Sequence, residues 1–189
     1  AGLVVLYVTG VIGPSKDDDA AESAPPEYSF DDELCDKIDF AAFGPELSRD
    51  GEVEAQPQDV KDGTGATSRE QIDCWVMYDH VDGGTLLGQL SISMLYFPTE
   101  QEAVDHYGPS KMAPEVQDSA ETYEGSWDEG LIGQYLWDTG SDVQTDAIFR
   151  DGNVFGYVRF YWSGGEWDPD QMTTGVKDLA EQLAVQLDR

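Results

Sequence analysis

The sequence predicts an α+β domain: an antiparallel sheet covered by helices, with an amphipathic helix closing the C-terminus. Three observations predict it. Residues 71–78 and 86–96 alternate apolar and polar side chains on either side of Asp82-Gly83-Gly84, the pattern of two half-buried strands joined by a turn. Asp151-Gly152 divides two more strand-like runs, as a tight hairpin does. Beyond Asp168 the apolar residues recur at alternating spacings of three and four, the period of a helix with one buried stripe.

The elements follow in order. Leu34 to Ile38 and Phe40 to Phe43 place apolar groups three to four apart, which predicts a short helix ended by Gly44-Pro45. Gly51 to Val60 alternates weakly and reads as a first strand, followed by a loop over 61–68 that contains Gly63 and Gly65. In the second strand Ile72, Cys74, Val76 and Tyr78 share one face, with Trp75 and Met77 on the other. Leu86, Gly88, Leu90, Ile92, Met94 and Tyr96 form one face of the third strand; Gln89, Ser91 and Ser93 form its other face. Thr99-Glu100-Gln101-Glu102 is a capping box, in which Thr99 accepts from the Glu102 amide and Glu102 reaches back. The helix it opens carries Ala103, Val104 and Tyr107 and stops at Gly108-Pro109. Strands are expected at 131–137, 142–150 and 153–162, the last with Val154, Val158, Phe160 and Trp162 on one face. Asp168 as N-cap, Pro169 at the first helical position and Gln171 open the closing helix. Its stripe of Met172, Val176, Leu179, Ala180, Leu183, Ala184 and Leu187 is expected to cover Leu90, Ile92, Val158 and Phe160.

The chain has 189 residues, and 39 acidic against 10 basic ones give a net charge of −29. Neutralising phosphates takes clustered Lys and Arg, so this balance argues against nucleic acid and against an anionic lipid surface as partners of the folded part. Residues 1–13 are uncharged and almost wholly apolar, too short alone to span a bilayer, and read as part of a longer membrane anchor. A buried strand and a signal-peptide core are the alternatives. Residues 14–28 are acidic and rich in Ala, Ser and Pro, the composition of a flexible tether, which leaves 29–189 as the folded domain. The flank of the apolar segment is acidic apart from Lys16, which places the domain on the extracytoplasmic side of the cell membrane, with secretion as the alternative. In an oxidising compartment Cys35 and Cys74 read as a disulfide; two buried free thiols are the other reading.

The layout of Asp31-x-x-x-Cys35, a strand with Cys74-Trp75, a long amphipathic strand, a helix, paired strands and a closing helix resembles actinobacterial secreted lipoproteins of unknown function. The resemblance covers residues 31–189 and implies a PsbP-like α/β sandwich, a Cys35–Cys74 disulfide, and an extracytoplasmic, non-catalytic module. It supplies no active-site residues. The chain departs from the pattern in having no Cys for lipidation after its apolar segment.

Catalytic chemistry finds little support. His80 follows Asp79 and His106 follows Asp105, but adjacent residues rarely point the same way, and no nucleophile motif accompanies them. Zinc spacings and a phosphate loop are missing from the sequence, and no cofactor is expected. Asp79, Asp82 and Asp151 flank turns and are candidates for a weak calcium site, although no EF-hand loop fits around them. The aromatic residues carry more information. Trp137, Phe155, Tyr157, Tyr161 and Trp167 are candidates for a partner surface, unless that face packs a second layer. The expected function is that of a membrane-anchored, non-catalytic domain that binds a protein partner, as an accessory subunit of a cell-envelope complex. A secreted small-ligand or calcium binder is the alternative, and an enzyme would require two carboxylates facing across a cleft.

Overall fold

The computed structural model describes residues 27–41, 43, 47–61, 64, 67–80, 87–138, 141–164 and 168–187, with backbone alone at 47–52, 67, 80 and 87. Seven strands lie in one sheet: β1 Leu47–Lys61, β2 Thr67–His80, β3 Leu87–Tyr96, β4 Glu121–Thr122, β5 Glu129–Leu136, β6 Asp142–Asp151 and β7 Val154–Ser163. All pairings are antiparallel, in the order β1-β2-β3-β7-β6-β5-β4. Among the described residues three α-helices accompany them: α1 Glu100–His106, α2 Pro114–Gln117 and α3 Pro169–Gln186. The α+β class, the antiparallel sheet and the closing helix are those the sequence predicts.

Directly paired residues share a face of a sheet. On the first face Ile72, Cys74, Val76 and Tyr78 of β2 meet Leu90, Ile92 and Met94 of β3, followed by Val154, Val158, Phe160 and Trp162 of β7, all buried. The predicted stripe of α3 is buried too, from Met172 through Leu187. Asp168 caps the helix by accepting from the Asp170 amide at 3.0 Å. The helix lies on β6 and β7, and its stripe shares one core with Leu90, Ile92, Val158 and Phe160. Leu183 is fully buried there. Leu183→Ala should lose about 2–5 kcal/mol through lost burial and a residual cavity. Val185, on the same helix but 70 % exposed, should lose less than about 0.5 kcal/mol as Ala. Chemical denaturation of both variants checks the pair.

A second segment packs on the same face, against Tyr78 and Phe160. Residues 34–41 and 43 form not a helix but a strap with one 3-10 turn, Leu34–Lys37. The backbone groups a helix would use are taken by the rest of the molecule. Tyr78 Oη donates to the Phe40 carbonyl at 2.7 Å. Gln182 of α3 accepts from the Asp39 amide at 2.8 Å. Phe43 stacks on Phe160 with ring centroids 4.0 Å apart. The strap is bonded to the sheet through Cys35–Cys74, with sulfurs 2.10 Å apart and both residues buried. The helical spacing of its apolar residues does not reveal this second cover, because it is built from scattered aromatics and a covalent link.

The strap begins earlier than the predicted domain boundary. Tyr28, assigned by composition to the tether, is 4 % exposed. Its amide donates to Asn153 Oδ1 at 2.7 Å, its carbonyl accepts from Asn153 Nδ2 at 3.1 Å, and its hydroxyl donates to Asp151 at 2.5 Å. Asn153 lies in the β6–β7 turn, which is Gly152-Asn153 and not Asp151-Gly152, since Asp151 still pairs with Val154. Gly152 takes φ +52°, as the first central residue of a type II′ hairpin requires. The apolar segment 1–13 and the remaining tether residues to 26 lie outside the described residues, as does the Asp82-Gly83-Gly84 turn. Among the described residues no helix is long and apolar enough to cross a membrane.

Candidate partner-binding surface

The second face of the sheet is divided between a covered half and an open half. On the covered half Leu95 of β3 sits directly opposite Phe155 of β7, and Ile148 of β6 lies diagonal to Phe155 in the next row. They are buried with Phe97 under Ala103 of α1, Val116 of α2 and the intervening Met112 and Ala113. Thr99 caps α1 by accepting from the Glu102 amide at 3.3 Å, while the Glu102 carboxylate accepts from the Thr99 hydroxyl and not from its amide. Val104 is 38 % exposed, because α1 is only two turns long and buries Ala103 alone. The α2 segment comes close to the sheet at Gly133, where a Cβ would be 2.7 Å from Val116 Cγ1. Neither α2 nor β4 carries a sequence signal strong enough to predict it, being four and two residues long.

Asp146 marks the border between the halves. It is fully buried and accepts from the Ala113 amide at 2.7 Å, Gln144 Nε2 at 3.0 Å and the Tyr157 hydroxyl at 3.0 Å. Arg159 completes the set side-on, Nε at 3.1 Å and Nη2 at 3.2 Å. Burial pulls the Arg159 pKa down, but the hydrogen bond and charge of Asp146 outweigh it and leave it raised. Burial and the same carboxylate push the Tyr157 phenol up, so it stays a donor.

On the open half, three cross-strand rows define a trough. Asp73, Ser93 and Tyr157 form one row, Trp75, Ser91 and Arg159 the next, and Met77, Gln89 and Tyr161 the third. The small side chains on β3 make the floor. Trp75 and Met77, on one wall and on the same face of β2, are 39 % and 40 % exposed. On the other wall Tyr161 packs edge-on against Trp137 at 5.7 Å, and Trp137 against Tyr135 at 4.9 Å. Asp73 holds the floor in place by accepting from Gln58 at 3.1 Å, Gln71 at 2.9 Å and Ser93 at 2.5 Å.

The candidate surface residues therefore separate. Trp137 and Tyr161 flank the trough, Tyr157 stands at its border, and Phe155, at 3 % exposure, belongs to the second core layer. Trp167 lies outside the described residues. Trp75 and Met77 were legible as the outward face of a strand, but two alternating residues carry no sign of whether a second layer covers them.

The other candidates are held by their neighbours. His106 is wedged between Phe97 at 5.2 Å and Phe155 at 4.8 Å, while the Asp105 carboxylate accepts from Gln101. Burial, with Lys111 and Arg69 nearby, lowers the His106 pKa from 6.5 to about 4. Between those values the unfolded chain binds a proton that the folded one does not, so stability falls as pH drops from about 6.5 to about 4. His106→Phe should flatten the slope of unfolding free energy against pH within that window. Of the calcium candidates, Asp82 lies outside the described residues and Asp151 accepts from Tyr28. Among the described residues no group of three or more His, Cys, Asp or Glu is placed to hold a metal. A depression of about 520 Å³ is rimmed by Glu124, Asp128 and Glu129 above Tyr107 and Trp127. The Tyr123 hydroxyl beside it has no partner among the described residues, but it is sealed from solvent and so offers nothing to an occupant.

Compared with known proteins, the chain matches no family model, no curated protein and no solved structure.

Proposed function

We propose that the chain is an extracytoplasmic, non-catalytic domain that binds a protein partner of the cell envelope through the open half of its second face. The observation that carries this reading is the pair Trp75 and Met77, each about 40 % exposed on a sheet face whose other half is packed to near-complete burial. Aromatic and Met side chains are the residue types enriched where proteins dock. The Cys35–Cys74 bond supports an oxidising compartment. The apolar segment 1–13 supplies the membrane attachment in this proposal, and the resemblance to secreted actinobacterial lipoproteins with a PsbP-like sandwich belongs to it too. The single antiparallel sheet with its closing helix supports that part.

A photo-crosslinking residue at position 77 of the full chain, irradiated in native membranes, should yield one dominant protein adduct. The same residue at position 185, exposed on the opposite layer, should yield none. No adduct at 77, or equal adducts at both positions, would overturn the reading.

A further inference from the structure

We infer that the partner segment is a basic amphipathic helix lying along β3 in the trough; this rests on the docking reading above. The shape follows from the backbone. A segment on the face of a sheet finds no free ladder of amides and carbonyls, which exist only at an edge, so it must satisfy its own backbone hydrogen bonds. A helix does this internally. The walls stand on β2 and β7, two strand spacings or about 9.6 Å apart, with the small Ser91 and Ser93 between them. A helix of about 10–12 Å diameter is slightly wider than that spacing, so it would lie over β3 with its apolar stripe resting on Trp75, Met77 and Tyr161. From Gln89 to Ser93 the floor runs about 13 Å, or roughly two and a half helical turns.

The charge follows from what surrounds the trough. On the strand positions that form it, Arg159 is the only cation among the described residues, and its charge is matched by the buried Asp146. Glu54 pairs with Trp75 at one side, and Asp142 and Asp138 lie beyond Tyr161 and Trp137 at the other. With −29 on the whole chain, the local and the long-range fields agree in sign. A second copy of the chain would bring the same charge to the same rim, so the fit is to a cationic partner.

The test uses the full chain and two designed peptides of about 15 residues, long enough to hold some helix. One carries a leucine stripe flanked by lysines; the other has glutamate in place of every lysine. The lysine peptide should bind, shifting the backbone amide resonances of Trp75, Met77, Ser91 and Tyr161. The double substitution Trp75→Ala/Met77→Ala should weaken it at least about tenfold, and Val185→Ala should not. Both replaced side chains are well exposed, and the melting temperature of the double variant verifies its fold. Shifts spread over α3 with no effect of the double substitution would mean unspecific attraction to charge and overturn the inference. Equal binding of the glutamate peptide would overturn its charge, and binding of neither peptide would overturn it entirely. A crosslinked partner at position 77 that engages through an acidic or non-helical segment would overturn the inference while leaving the docking reading intact.

Discussion

Asp146→Ala is expected to destabilise the domain by about 3 kcal/mol: Arg159 is partly exposed, but the buried donors that lose their acceptor cost about 1–3 kcal/mol each. The reason is the number of groups the carboxylate serves. With it gone, the Arg159 guanidinium loses both of its side-on bonds, and the Ala113 amide, the Tyr157 hydroxyl and the Gln144 amide lose their acceptor. Each buried donor left alone costs its own desolvation. The loss should be local as well as global. Ala113 is where the chain between α1 and α2 is fastened to the sheet, so amides of 109–117 should exchange before those of β3 and β7. Denaturant titration gives the total, and hydrogen exchange gives the order. A loss below about 1 kcal/mol would show that Arg159 finds water instead and that the segment is held by Met112 and Val116 alone.

Removing the disulfide with Cys35→Ala/Cys74→Ala should cost about 4 kcal/mol on the chain-entropy account, given a sequence separation of 39. Both residues are buried, and the strap they hold packs Phe43 against Tyr78 and Phe160, contacts that loosen with it. The double substitution avoids a buried free thiol that would complicate a single one. Thermal melting of the variant, and of the parent chain under full reduction, should agree within experimental error. If the variant melts with the parent, the aromatic contacts of Phe43 and the Tyr78–Phe40 hydrogen bond suffice to hold the strap.

How far the sequence reaches differs between the elements. Regular strands and the closing helix are legible because burial of one face imposes a period of 2 or of 3.6 on the residues themselves. Ile72 to Tyr78 and Met172 to Leu187 show those periods and are buried as they imply. The strap is not legible, since its apolar residues mimic helical spacing while their backbone groups are claimed by Tyr78 and Gln182, more than 35 residues away. The candidate surface was half legible. Trp75 and Met77 can be assigned to the outward face of β2 from alternation alone. Whether an outward face is open depends on where 97–120 folds, and that is set by Asp146 and Gly133.

The sequence by itself determined the α+β class, the antiparallel pairing of β2 with β3 and of β6 with β7, the cap and buried stripe of α3, and a strongly anionic surface. These follow from local period, turn chemistry and a sum of charges, none of which requires knowing what lies opposite. Contacts between distant segments settle the rest: that α3 packs on β6 and β7 while a disulfide-linked strap packs on β1 and β2, that Phe155 is core, and that Trp75, Met77 and Tyr161 border an open trough. The physical reason is that burial of a given side chain is a property of two surfaces, and the chain brings its second surface from residues distant in sequence.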